Sequence, residues 1–459
     1  MVSSLTLLSL LASLSLSRLS SAAPLEERAP KPVLPAYIAE NLGPYSPYRA
    51  VGEYPKVPEG CEVTQANILQ RHGQRFPTKS AGKRIAASVA KLQNASSLSP
   101  DLAFVKDYVY ALGADDLTPS GASELYHQGR EAYARYSALY PPFTRTDSSQ
   151  RVVDSVGNWT EGFYERRRVR RLPGAVVIDN AAGSNDTLDD NNCPSAPDLS
   201  SYETTYLSLF AAPATARLNA AAAGAGLTVD DTLNLMQLCG FESEYRGEVS
   251  PFCGLFEQGE WDGFEYYYDL DKYYGTGYGN PLGPVQGIGY VNELLARLTG
   301  NRYWTQHDQT QVNHTLDFSP STFPLTRSLY YDGTHDNQLT PILAVLGLRN
   351  GTVLSATGAA DEGEGGEKWK TSEIVPFAGK LVTERVKCTG RNGEFVRFLI
   401  NDQLQLPSHS FSASSVCPSA DPVTGLCPLS DFLNGEAVRY VRENGRGEWQ
   451  KCGYTPPAE

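Results

Sequence analysis

Six histidines stand among the 459 residues, and one of them, His72, lies between two arginines in the stretch ILQRHGQRFPT, residues 68–78. Fixed positive charge at Arg71 and Arg75 lowers the pKa of an imidazole and keeps it neutral into acidic pH. A neutral imidazole is a nucleophile. The same guanidinium groups are forked donors matched to a tetrahedral oxyanion, so a phosphate drawn into this turn would be held beside the ring nitrogen. Gly73 permits close backbone approach and Pro77 stiffens the exit. Attack on phosphorus also needs an acid for the leaving oxygen, and THDN, residues 334–337, offers one. His335 could bind phosphate while Asp336 donates the proton. Phosphate monoesters demand acceleration of up to about 10²¹-fold, with fixed charge around the transferring group as the main lever. Taken singly, the first motif reads as a solvated turn and the second as a helix cap. Taken together they are far more specific.

These residues need elements to aim them. CEVTQANILQ, residues 61–70, is β-branched and apolar enough for a mostly buried strand, which delivers Arg71 and His72 at its C-terminal end, where open α/β sheets bind ligands. SLYYDGTHDNQLTPILAVLGL, residues 328–348, reads as strand, turn and helix, with Pro341 in the first helical turn. That places His335 and Asp336 at a helix N-terminus, which favours anions. Thr118 and Pro119 read as N-cap and first residue of another helix, with Leu125, Tyr133, Tyr136 and Tyr140 at roughly helical spacing. Residues 200–298 are mainly helical in pattern, without a convincing strand, and suggest an α-helical insertion. The acidic, glycine-rich stretch at 358–370 reads as an exposed loop.

With 41% apolar and 20% charged residues, the chain can bury a sizeable core. The net charge of −13 argues against nucleic acid and anionic membrane surfaces as partners, so an anionic substrate must meet a local basic patch. Residues 5–16 are apolar and SSAAP follows at 20–24, a pattern for a cleaved leader; residues 1–23 read as a signal peptide and the mature chain as secreted and extracellular. No later run is long enough to span a membrane. Sequons at Asn94, Asn158, Asn185, Asn313 and Asn350 fit export, each expected on a solvated loop or helix end if glycosylated. Eight cysteines without CxxC spacing favour disulfides over zinc. Proximity suggests Cys239 with Cys253 and Cys417 with Cys427, and leaves Cys61, Cys193, Cys388 and Cys452 for longer-range closure.

RHGQRFP and HDN resemble the two motifs of the histidine acid phosphatases, and GADDLTPSG, QRVVDSVGNWTEGF, SPFCGLF, KYYGTGYGNPLGPVQGIGYVNELLARLT and NHTLDFSPSTFPL look like the fungal phytase branch. The resemblance spans residues 44–452. It implies an α/β fold of the histidine-phosphatase (phosphoglycerate-mutase-like) type, a sheet flanked by helices with a smaller inserted α-helical domain. It also implies His72 as the nucleophile that becomes phosphohistidine, Arg71, Arg75, Arg151 and His335 as phosphate ligands, and Asp336 as proton donor. Arg151 enters through QRVV, matched to a strand segment of the family; from the residues alone Arg145 is an equal candidate. Lys272, Tyr45 and Thr78 match positions lining the substrate pocket, although Lys272 reads equally well as a solvated helix-end lysine. Pro44 departs from the polar residue common there. The implied long-range disulfides are Cys61–Cys388 and Cys193–Cys452, beside the two local pairs.

The expected organisation is an N-terminal arm over 24–60, a discontinuous α/β domain over 61–190 and 315–459, and a helical domain over 191–314. Lys79, Lys83 and Arg84 could extend a basic rim or form an exposed helix face. His127, His307, His314 and His409 show no metal-ligand spacing, so neither a metal nor another cofactor is expected. A monomer is the expected state. The expected function is hydrolysis of phytate, myo-inositol hexakisphosphate, at acidic pH. A broad-specificity acid phosphatase is the alternative. A non-catalytic glycoprotein that binds phosphorylated ligands, and a phosphomutase or transferase, rank lower.

Overall fold

The computed structural model describes residues 33–453, apart from 168, 170, 182, 183, 191, 352, 359–368 and 407–415. The leader, most of the acidic loop and His409 lie outside the described residues. The centre is one eight-stranded mixed sheet. Its strands are β1 (Cys61–Arg71), β2 (Pro142–Asp147), β3 (Val176–Ile178), β4 (Leu329–Thr334), β5 (Lys380–Cys388), β6 (Glu394–Ile400), β7 (Gln403–Gln405) and β8 (Cys427–Pro428). They run in the order β8-β6-β5-β1-β4-β2-β3, with β7 on β6. The half from β1 through β4 and β2 to β3 is parallel, whereas β5, β6, β7 and β8 pair antiparallel.

The long helices are α1 (Lys79–Gln93), α2 (Pro119–Tyr136), α3 (Gln150–Tyr164), α4 (Ser201–Ala221), α5 (Val229–Arg246), α6 (Gln258–Gly275), α7 (Ile288–Thr299) and α8 (Asp336–Val345). Alternation along β1 sends Ala66 and Ile68 to one face of the sheet, against Trp159 and Phe163 of α3, and Leu69 to the other, beneath α7 and α8. Helices α2 and α3 cross closely because both contacts are glycines. A Cβ on Gly129 would lie 2.0 Å from the Trp159 carbonyl oxygen, and one on Gly162 would lie 1.9 Å from that of Tyr126. A second core joins α1, α4, α5 and α6 with Leu34, Ile38 and Leu42 of the N-terminal arm. Within residues 200–298 the strand content is a two-residue bridge, Ala222–Ala223 with Ser97–Leu98.

Several local expectations shift. Thr118 caps α2 through Gly121 N–H, with Pro119 first in the helix, but α2 ends at Tyr136 and Tyr140 follows a separate 3-10 turn. Pro341 sits in the interior of α8 because the helix starts at Asp336, so the proline lies past the first turn. Asn158 lies within α3 instead of on a loop or helix end, and its amide donates to the Asp154 carbonyl. Asn313 caps a short helix at Leu316 N–H and donates to the Asn185 carbonyl. Asn94 is exposed at the end of α1. Disulfides join Cys61 to Cys388, Cys193 to Cys452, Cys239 to Cys253 and Cys417 to Cys427. Among the described residues no helix is long and apolar enough to cross a membrane.

Candidate active site

Register alone brings the two motifs together. Arg71, the last residue of β1, lies opposite Thr334, the last residue of β4. The next residues, His72 and His335, therefore leave the sheet side by side, and His72 N–H donates to the Thr334 carbonyl at 3.0 Å. Their rings lie edge to face with centroids 5.6 Å apart. Gly73 is required by the packing behind this turn, since a Cβ there would lie 2.6 Å from Leu125 Cδ2 and 2.7 Å from the Gly121 carbonyl oxygen.

His72 is buried, and its Nδ1 lies 2.8 Å from the Gly73 carbonyl oxygen. A carbonyl only accepts, so Nδ1 carries the hydrogen and Nε2 keeps its lone pair. Burial, then Arg71 and Arg75, then His335 and Arg151, hold this imidazole well below its ordinary pKa. The ring is a neutral base with a free pair on Nε2.

Arg71 is fully buried without a full complement of acceptors. Its Nη1 donates to the carbonyls of Pro44 and Val375, and its plane lies 4.5 Å from the Phe377 ring centroid. Its Nε and Nη2 make no hydrogen bond, although Nη2 is 3.4 Å from Asp336 Oδ2. Burial pushes its pKa down to about 10, with Arg75 and Arg151 adding to the effect and Asp336 opposing it. Pro44 thus contributes its backbone oxygen, a role its missing side-chain polarity does not affect. Arg75 donates to the Phe76 carbonyl at 2.9 Å, leaves Nε unpartnered, and is likewise lowered, first by burial.

Asp336 opens α8 and reaches back over the same pocket. Its Oδ2 lies 3.0 Å from Lys272 Nζ, which also donates to Asn337 Oδ1 at 2.7 Å and sits 3.2 Å from Asp271. Burial works to raise the Asp336 pKa, but Arg71, Lys272 and His72 outweigh it and hold the carboxyl well below its ordinary range. Asp336 is therefore ionised among these cations. Lys272 is buried near the C-terminal end of α6, which removes the solvated helix-end reading.

Arg151 belongs to the first turn of α3 and not to a strand: β2 ends at Asp147, whose Oδ1 accepts Ser149 N–H and turns the chain into the helix. From there Arg151 Nη2 lies 3.3 Å from His335 Nδ1. Arg145 is excluded from the pocket. It lies inside the sheet, bound to Glu293 of α7 and Asp332 of β4. Tyr45 packs against Phe241, Tyr268 and Phe377, close enough to Arg71 and Arg75 to act on both charges. Thr78 is the N-cap of α1, accepting Ala81 N–H at 3.3 Å, and that cap engages its hydroxyl. Lys79, Lys83 and Arg84 are exposed along α1. His307 and His314 flank or begin short helices, and His127 lies on α2.

Sequence reasoning missed Asp147. It is buried at the end of β2, and its Oδ1 lies 2.9 Å from His335 Nε2. The available signal was an Asp directly before two serines at the C-terminal end of a parallel strand, where ligands gather. Among the described residues, one oxygen each of Asp147 and Asp189 and a ring nitrogen of His335 lie within 4.8 Å of one another, the one such grouping of ligand-type atoms. The Asp147–His335 hydrogen bond already commits two of the three to each other.

The family described as histidine phosphatase superfamily (branch 2) matches residues 62–401. Phytase A of Aspergillus awamori is 38% identical over 433 residues, 89% of either chain. Phytase A of Aspergillus fumigatus is 36% identical over 432 residues, 89% of this chain and 90% of the relative. Among solved structures, the phytase from D. castellii superposes with a TM-score of 0.69 at 21% identity, covering 91% of this chain and 88% of that one. The multiple inositol polyphosphate phosphatase of Bifidobacterium longum, in complex with inositol hexasulfate, gives 0.60 at 16% identity over 86% and 97%. At these identities the structural likeness establishes the fold.

Proposed function

Because the chain belongs to the histidine phosphatase superfamily, branch 2, we propose that it is a phosphoric monoester hydrolase that removes phosphate from phytate through a phosphohistidine. The observation that carries this reading is a neutral imidazole with Nε2 free, enclosed by guanidinium groups whose donors are unspent. In the first step His72 Nε2 forms a bond to phosphorus as the bond to the inositol oxygen breaks, and Asp336 gives that oxygen a proton. In the second, water attacks the phosphohistidine, Asp336 takes its proton, and Nε2 recovers its pair. Arg71, Arg75, Arg151 and His335 supply donors to the phosphate oxygens, where charge develops.

Arg71, Lys272 and His72 outweigh burial and hold Asp336 ionised, so the proton it gives must be gained when substrate binds. A phosphate seated on Arg71 and Arg75 opposes the charges that depress Asp336 and raises its pKa. Acid operation follows, since protonated Asp336 is scarce at neutral pH while His72, lowered by burial and then by the arginines, stays unprotonated.

Lys272 favours a polyphosphorylated substrate over a simple ester. It is a buried cation one residue beyond the reacting group, placed by a helix outside the sheet. We read the helical stretch, expected over 191–314, as the pocket wall that delivers it, with Tyr45 beside it. Export, with loss of residues 1–23, belongs to the same reading and fits four disulfides. The test compares phosphate release from phytate and from an aryl monophosphate in the wild-type chain and in His72→Ala. Phytate preference lost entirely in the folded variant, along with phosphoenzyme trapping, supports the reading; ordinary turnover by His72→Ala, or preference for the aryl ester, defeats it.

A further inference from the structure

Phosphate binding by His335 depends on the hydrogen and charge its ring carries, and both are set from behind by groups outside the phosphatase motifs. His335 Nε2 lies 2.9 Å from Asp147 Oδ1, and a carboxylate oxygen accepts, so the hydrogen sits on Nε2 and points away from the pocket. Nδ1 faces the other way, 3.3 Å from Arg151 Nη2. A proton added to Nδ1 would give an imidazolium aimed at the tetrahedral anion, with its second hydrogen bond already made to a carboxylate. Asp147 is itself fixed, since Oδ1 also accepts Ser149 N–H at 2.8 Å.

One oxygen of this arrangement is left over. Asp147 Oδ2 is buried and has no hydrogen-bond partner, a costly condition for a carboxylate. Asp189 brings an oxygen to within 4.8 Å of the Asp147–His335 pair. Two carboxylates at that separation do not both ionise readily, and a hydrogen on Asp189 would give the orphan a donor.

We propose that Asp147 is a positioning residue that fixes the His335 ring for phosphate binding, and that Asp189, in its neutral form, donates to Asp147 and sets the upper pH limit of anion binding. Burial, reinforced by Asp190 and Asp147 and opposed by His335, pushes Asp189 up to about 6. The other charged groups facing this cluster are Asp186, itself raised by burial, Glu293 behind Asp186, and Arg151 beside His335. Below about 6 Asp189 is neutral and the pocket keeps its positive balance. As pH rises through that value a further negative charge appears behind His335, and anion affinity falls.

The inference rests on the phosphatase reading but is tested without turnover. The probe is inorganic sulfate, a tetrahedral dianion whose charge is constant over the range, titrated calorimetrically into the full chain from acidic to neutral pH. Asp147→Asn should weaken sulfate on the order of tenfold in the acidic range, the scale of one charge-assisted hydrogen bond. Asp189→Asn should reduce the loss of affinity between acidic and neutral pH on the order of threefold, with the unfolding midpoint recorded for both. Wild-type sulfate affinity in Asp147→Asn at every pH, or a wild-type pH dependence in Asp189→Asn, overturns the proposal. So does loss of the pH dependence on adding a chelator, which would make the cluster a cation site. If Asp147→Asn does not fold, Asp189→Asn decides alone. Failure to hydrolyse phytate would remove the proposed function and leave these binding results standing.

Discussion

Two sets of buried guanidinium groups, Arg145 with Arg297 and Arg71 with Arg75, are in opposite states. Arg145 of β2 and Arg297 of α7 share Asp332, and Arg145 also holds Glu293, at 2.9 Å from Asp332 and at 2.9 and 2.5 Å from Glu293. Burial would lower Arg145, but those two carboxylates hold its pKa well above the ordinary value. At the strand ends, Arg71 and Arg75 face carbonyls, an aromatic ring and one carboxylate, 3.4 Å from Arg71, and burial lowers both. The first set is electrically finished and fastens α7 to the sheet. The second is short of negative charge, which is the condition the proposed phosphate site requires. Burial does not separate a structural arginine from a functional one; satisfaction does.

The sharpest way to break this contrast is to exchange the consequences. Arg145→Met leaves buried Glu293 without its arginine and Asp332 with Arg297 alone, and should destabilise the fold by about 3–5 kcal/mol in denaturant unfolding. Activity per folded molecule should persist. Arg75→Met should do the reverse, lowering kcat/KM for any phosphate ester on the order of 10²–10³-fold while the unfolding midpoint holds or rises, because a strained cation is removed. If Arg75→Met instead loses stability as Arg145→Met does, the contrast collapses.

Lys272 tests the border between the two states, since it is paired with Asp336 yet expected to serve substrate. Lys272→Met should raise KM for phytate about tenfold with little change for an aryl phosphate, as one charge-assisted contact is lost. It should also move the alkaline limb of the kcat profile to higher pH, because Lys272 helps hold Asp336 down and its removal lets the carboxyl keep its proton longer. A profile unmoved by the substitution would separate Lys272 from proton transfer.

The smallest effect concerns acid. Burial would raise Asp332, yet Arg145 and Arg297 depress it to about 2. Its contribution, on the order of 2 kcal/mol, is complete above the unfolded carboxyl pKa and fades as pH falls toward the folded value. Unfolding midpoints should therefore be insensitive to this group across the acidic working range and fall only in strong acid. In Arg145→Met that final fall should be blunted.

Legibility followed chain distance. His72 and its arginines share one short stretch with a strand before it, and His335 with Asp336 shares another, so local charge and a strand-to-helix pattern exposed both. Arg145 and Arg151 are six residues apart in sequence, and no local property sorts them. Arg145 is drawn inward by Asp332 and Glu293, which are 187 and 148 residues away, while Arg151 is turned outward by the helix that begins at Gln150. Asp147 escaped notice for the same reason, because its partner His335 is 188 residues distant. Thr78 shows a second use of one position: the residue matched to the pocket is also an ordinary N-cap, and its hydroxyl oxygen accepts Ala81 N–H there.

What the residues determine by themselves is the chemistry on offer: a histidine kept neutral by adjoining arginines, an acid at a helix start, and cysteines suited to oxidation. Ionisation next to fixed charge is a short-range effect, so neighbouring residues suffice to read it. Only the fold decides which cations remain unpaired, that Lys272 joins Asp336 instead of solvent, and that Asp147 stands behind His335. Those outcomes depend on which distant carboxylates reach each buried charge, and strand register settles that.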